Sequence, residues 1–153
     1  MVQKTIIANY GDANLGKTES VKLVYEKLKK VAEKEDVLYT PSQLNGDICV
    51  ILTINDVKVG ISSQGDPWSA QNTLLKELIQ NGCQIILATC RYSGVTEVNI
   101  ENKTPDYRVY WTCNARLYEL GTNPRIAPKG ILNRFNAQWA EQIATLIENW
   151  CFA

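Results

Sequence analysis

The chain of 153 residues contains no histidine. This removes the Ser-His and Cys-His nucleophile arrangements and the commonest general base. Any chemistry must then come from carboxylates, lysine, arginine, a bound metal or water. Cysteine is present but unpatterned: Cys49, Cys83, Cys90, Cys113 and Cys151 include no C-x-x-C spacing, and their number is odd. Without histidine partners they do not read as a zinc site. Four of the five lie in or beside apolar strand or helix patterns, where buried reduced thiols are expected. Net charge is missing as well. Lys plus Arg and Asp plus Glu number 16 each, which argues against general affinity for nucleic acid or an anionic membrane. Lys22, Lys27, Lys29, Lys30 and Lys34 interleave with Glu26, Glu33 and Glu35, as on a solvated helix face. No apolar run approaches the length of a membrane span. Met-Val-Gln-Lys leading straight into a strand pattern is no signal peptide, so a cytoplasmic protein is expected. Repeats, low-complexity tracts and linkers are absent, and the length suits one domain over residues 1–153.

What is present is organised around Gly11-Asp12-Ala13-Asn14-Leu15-Gly16-Lys17-Thr18. The stretch fits G-x-x-x-x-G-K-[ST], the phosphate-binding loop. Before it, Lys4–Tyr10 is apolar and β-branched at its centre and predicts a buried strand. After it, Val21, Val24, Leu28 and Val31 recur three or four residues apart and predict one face of a helix. Gly11 and Gly16 let the backbone curl so that successive N–H groups face an anion. The helix N-terminus adds its partial positive charge. Lys17 can reach the β/γ-phosphates, and the Thr18 hydroxyl can bind Mg²⁺. Over residues 4–34 the chain resembles the P-loop NTPase superfamily, and beyond them only the order of elements extends the likeness. The resemblance implies that Gly11, Asp12, Ala13, Asn14, Leu15, Gly16, Lys17 and Thr18 bind a nucleoside triphosphate with Mg²⁺.

Further along, Val37–Ser42 reads as a connection. Thr40 stands where P-loop GTPases carry a mobile threonine, although a threonine before proline is also simple loop chemistry. Ile48–Ile54 is almost continuously apolar and predicts a buried strand. Asn55-Asp56 then turns the chain into Val57–Ile61, the return strand of a hairpin. In P-loop proteins the polar exit of such a strand carries the aspartate that holds Mg²⁺, and Asp66 is the one acid in Ser62–Pro67. Asp66-Pro67 equally reads as a helix start, with the helix through Leu74, Leu75, Leu78 and Ile79 ending at Asn81-Gly82. Both readings stay open. Cys83–Thr89 predicts another buried strand. Ligands in open α/β sheets bind beyond the carboxyl ends of strands, which places Arg91 near phosphate, with a surface salt bridge as its plainer role. The guanine-reading Asn-Lys-x-Asp and the Asp-x-x-Gly of GTPases are both missing, which leaves ATP by elimination. Val98–Pro105 reads as a short strand running into a loop, and Tyr107–Cys113 as an aromatic strand. The stretch from Ala115 to Gly130, with Arg116 and Arg125, is either a lid over phosphate or a surface crossing. Phe135, Trp139, Ile143, Leu146, Ile147 and Trp150 line a helix from about Asn133 to Cys151 that either packs the sheet or presents a partner surface.

The order β-α-ββ-α-β-β-α predicts an α/β protein. The expected form is a three-layer α/β/α P-loop NTPase-like domain with a mainly parallel sheet and one hairpin-paired strand. The expected function is Mg²⁺-dependent binding and hydrolysis of ATP. In that reading Lys17, Asp66 and Arg91 are the catalytic groups, Thr18 and Asp66 hold the metal, and Gln64 is a chemically suitable residue for positioning water. A small-molecule or nucleotide kinase is the first alternative, with Asp66 orienting an acceptor hydroxyl and Arg91, Arg108, Arg116 and Arg125 as lid arginines. The second is a non-catalytic nucleotide sensor that binds a protein partner.

Overall fold

Five of the six stretches that predict a strand enter one sheet in the computed structural model of the chain. The structure describes residues 2–11, 17–91, 93–113, 118–119, 125–126 and 129–153. Its elements are β1 (Thr5–Tyr10), α1 (Lys17–Lys29), β2 (Lys34–Tyr39), β3 (Cys49–Ile54), β4 (Val57–Ser62), α2 (Gln71–Gln80), β5 (Ile85–Cys90), α3 (Val95–Glu101), β6 (Arg108–Thr112), the short strands β7 (Tyr118–Glu119) and β8 (Arg125–Ile126), and α4 (Lys129–Phe152). Six strands lie in the order β2-β3-β4-β5-β1-β6. The pairs β4–β5, β5–β1 and β1–β6 are parallel, whereas β3 is antiparallel to both β2 and β4. The protein is therefore α/β, with a mostly parallel mixed sheet in which β3 alone runs against the rest.

The side-chain alternation of the strands explains the two apolar faces. Ile7, Leu52, Val59, Ile61, Ile85 and Leu87 meet Val21, Val24 and Leu28 of α1 and Trp139, Ile143 and Ile147 of α4. On the opposite face Ile6, Ala8, Ile51, Ile86 and Ala88 meet Leu74, Leu75 and Leu78 of α2 and Ile100 of α3. Strands β1 and β5 are covered on both faces, which is why they read as unbroken apolar runs. The β3–β4 hairpin closes through Asn55 at φ 48° and Asp56 at φ 63°. Left-handed backbone at both central residues is what a tight type I′ hairpin requires, and Asn and Asp tolerate it. Among the described residues, no helix is long and apolar enough to cross a membrane.

The structure corrects two expectations. Lys34–Tyr39, part of which was expected to be a connection, is the edge strand β2, paired with β3 from Lys34↔Thr53 to Tyr39↔Cys49. Its charged first half lacks the apolar signature of a strand because an edge strand gains from charge that discourages further pairing. Val98–Pro105, expected to begin as a strand, falls instead in helix α3 and the turns after it. Only Thr96 and Ile100 of this helix are buried. They stand four residues apart, and so short an apolar signal does not separate helix from strand.

Candidate functional site

Parallel β4, β5, β1 and β6 end on one rim of the sheet, and β3, running the other way, begins there. This rim brings together Gly11 after β1, Arg91 after β5, Ser62 and Ser63 at the end of β4, and Asp47-Ile48 before β3. Lys17, only 9% exposed, lies across the ends of β1 and β5. Its ammonium donates hydrogen bonds to the carbonyl of Gly11 and, at 3.1 Å, to that of Cys90. The Gly11 N–H donates to the same Cys90 carbonyl at 3.2 Å.

The next residue reaches the far side of the rim. Thr18 Oγ1 donates to Asp47 Oδ1 at 3.2 Å, and Ser63 Oγ donates to the same oxygen at 2.8 Å. Ser63 is itself fixed, since its Oγ accepts the Ile48 N–H at 2.9 Å and its own N–H donates to the Ile48 carbonyl at 3.0 Å. Sequence reasoning missed Asp47. The signal lay in its place just ahead of an apolar strand, but that place faces Thr18 only because β3 runs antiparallel.

The other expected residues are distributed as follows. Asp66 is exposed, and its Oδ1 pairs with Arg91 at 2.7 Å from Nη2 and 2.9 Å from Nε. It does not cap a helix. Helix α2 starts at Gln71 after Ala70, which makes no side-chain cap. The first N–H groups there are satisfied by Gln64 Oε1, which accepts from Ala70 at 3.0 Å, and Ser69 Oγ, which accepts from Gln71 at 3.3 Å. Gln64 also donates to the Leu44 carbonyl at 3.3 Å, so it brackets two loops. Thr40 bonds within its own turn to Gln43. Arg91 stands beside Cys90 on the rim, its guanidinium 5.8 Å from the ring of Trp68, which is 82% exposed. Arg108 opens β6 at the opposite rim, where it donates to the Tyr110 hydroxyl at 2.8 Å. Asp12, Ala13, Asn14, Leu15, Gly16 and Arg116, with the Arg125 side chain, lie outside what the structure describes.

Trp139 is packed against the sheet, its Nε1 donating to Thr112 Oγ1 at 3.0 Å, and Trp150 rests on the same core. The cysteines are free thiols. Burial pushes Cys49, Cys83 and Cys90 up to about 12 and Cys151 up to about 11, which keeps them protonated and poor nucleophiles.

Among the described residues no cluster of three or more His, Cys, Asp or Glu could cage a metal. Thr18, Asp47 and Ser63 instead offer two hydroxyls and one carboxylate, all hard oxygens. Such a set suits Mg²⁺, which typically takes one or two carboxylates and completes its shell with phosphate and water. No protein-family model, curated protein or solved structure matches the chain.

Proposed function

We propose that the chain binds a nucleoside triphosphate, ATP, together with Mg²⁺ and hydrolyses it. The observation that carries this reading is the convergence of Lys17, Thr18 and the Asp47 carboxylate on one rim of the sheet. Helices on both faces of a mostly parallel sheet support the finer reading of the fold as a three-layer P-loop-like domain. In this reading Lys17 exchanges two neutral carbonyl partners for phosphate oxygens. The ammonium donates in both arrangements, but phosphate oxygens add an opposite charge, and that Coulombic attraction at a nearly buried lysine favours the exchange. Thr18 and Asp47 hold the metal, with Ser63 fixing the carboxylate. Bound Mg²⁺ supplies neutralisation of charge on the β- and γ-oxygens. Arg91 stabilises charge developing during transfer once it leaves Asp66. Gln64 is engaged between two loops, so hydrolysis by the chain alone is expected to be slow.

The test is equilibrium binding of ATP, GTP and their diphosphates with and without Mg²⁺, followed by phosphate release in the same samples. Lys17→Ala should weaken ATP binding by about ten- to a hundredfold, the worth of a hydrogen bond to a charged group. Asp47→Asn should remove most of the Mg²⁺-dependent gain in affinity and leave metal-free binding intact. ATP affinity unchanged in a folded Lys17→Ala protein would reject the proposal.

Phosphotransfer is the second reading. It is favoured by the exposed Trp68 ring over Arg91, a preformed surface beside the rim where an acceptor could dock. ADP formation that depends on an added acceptor separates it from hydrolysis.

A further inference from the structure

The opposite rim, where the parallel strands begin, holds a cavity of about 480 Å³. It lies on the α4 side, at the last turn of that helix, and its size is within the range of small-molecule sites. The rise of strand β1 separates it from the Lys17 rim by about 17 Å, so nothing in it depends on the nucleotide reading. Thr5 and Val57, which line it, are buried. Asn55 Nδ2 donates to the Cys151 carbonyl at 2.8 Å, which ties the β3–β4 turn to the end of α4 and fixes one wall.

Strand β6 supplies the other wall. Arg108, Tyr110 and Thr112 alternate onto the face that carries α4, as the bond from Trp139 to Thr112 shows. The Tyr110 ring rests on that of Trp150, with centroids 5.9 Å apart and planes inclined by 30°. The Arg108 guanidinium lies 5.8 Å from the Tyr110 ring centroid and donates to the Tyr110 hydroxyl at 2.8 Å. That bond uses only one of its N–H donors. Among the described residues Arg108 has no carboxylate partner, although Asp56 lines the same cavity. The sheet order keeps the two charges apart, since Asp56 precedes β4 and Arg108 opens β6, three strand spacings or about 14 Å away.

We propose that this cavity binds a monocarboxylate with a flat aromatic body, its carboxylate on Arg108 and its ring against Tyr110 and Trp150. The planar guanidinium fork matches a carboxylate, and the two rings offer a surface that favours another ring. Arg108 is the one basic residue among those lining the cavity. A phosphate ester, with nearly two charges, would lack a second cation there. Asp56 repels a second anionic group at the far end, which selects for ligands with a single carboxylate.

The experiment is calorimetric titration of 2-naphthoate, its neutral amide, decahydro-2-naphthoate and naphthalene-2,6-dicarboxylate into the full chain and its variants. Folding of each variant is verified by circular dichroism. In the wild-type chain 2-naphthoate should bind about tenfold or more tighter than the amide, the worth of a hydrogen bond to a charged group. It should bind about threefold to tenfold tighter than the saturated acid, and tighter than the dicarboxylate. Arg108→Gln should bring acid and amide within about twofold of each other, and Arg108→Lys, which keeps the charge without the fork, should fall between. Tyr110→Leu should reduce the preference for the aromatic over the saturated acid. It lies on an edge strand and serves where Trp150→Leu, which rests on the core, does not fold. Asp56→Asn should raise affinity for the dicarboxylate, and asparagine keeps the left-handed turn. Absence of 2-naphthoate binding up to millimolar concentration, or an acid preference that survives Arg108→Gln, would overturn the proposal. So would an acid preference lost in Lys17→Ala but kept in Arg108→Gln, which would put the carboxylate on the other rim. An aromatic preference unchanged in Tyr110→Leu would overturn the stacking, and a dicarboxylate bound as tightly as 2-naphthoate would overturn the selection for one charge.

Discussion

At the scale of single residues, one oxygen of Asp47 organises the rim. It accepts from Thr18 and from Ser63, and Ser63 is held in turn by Ile48. A carboxylate whose hydrogen-bond donors are fixed this way is oriented before any ligand arrives, which lowers the reorganisation that binding requires. The cysteines show the opposite effect of the interior, where burial withholds ionisation. Thiols at Cys49, Cys83 and Cys90 rise from about 9 to about 12 because the apolar core penalises the thiolate. Between those values the unfolded chain loses protons that the folded chain keeps. Their contribution to stability is therefore intact below pH 9 and falls as pH rises from about 9 toward 12. Thermal unfolding measured from pH 8 to 11 should show the melting temperature dropping over the upper part of the range. At pH 8, iodoacetamide should modify Cys113, the half-buried thiol, first, and reach the other four only after denaturant is added.

At the scale of elements, the rim depends on how closely the exit of β4 lies on the end of β5. Gly65 makes that contact possible. A Cβ on it would stand 2.4 Å from Thr89 Oγ1, 2.8 Å from the Thr89 carbonyl carbon and 3.0 Å from the Cys90 nitrogen. Two of these atoms are backbone and cannot swing aside, so the loop would have to lift. Gly65→Ala should cost about 1–3 kcal/mol, in the range of overpacked sites, and a urea titration would read it as a lower midpoint with unchanged slope. An unchanged midpoint would mean that the loop adjusts freely. The elements legible in the sequence were those with strong periodicity: the strands around Ile6, Val50, Val59, Ile86 and Tyr110, and the helices through Val24, Leu75 and Ile143. Strand β2 was obscured by Lys34, Glu35 and Asp36, which are tolerated at the sheet edge beside β3. Helix α3 was obscured by its length of seven residues, since its place is set by packing of Ile100 against the sheet rather than by propensity.

At the scale of the whole molecule, one sheet serves two cores, so neither face can be lost without exposing strands that the other face also needs. Trp139→Ala removes a buried indole and its bond to Thr112, and should cost about 3–5 kcal/mol. Because the cores share β1, β3 and β5, far-UV circular dichroism and tryptophan fluorescence should still report coincident transitions, both shifted to lower denaturant. Two separated transitions would show that the faces unfold independently. The candidate site divides along the same line between local and non-local order. The strand and helix on either side of the motif Gly11–Thr18, and the hairpin turn at Asn55-Asp56, were determined by the sequence itself, because apolar period and turn chemistry act over a few neighbouring residues. Tertiary structure alone decided that β5 lies between β4 and β1, that Arg91 pairs with Asp66, and that Asp47 meets Thr18. Those outcomes depend on strand order and direction, which follow from burying both faces of the sheet at once and leave no mark within any one segment.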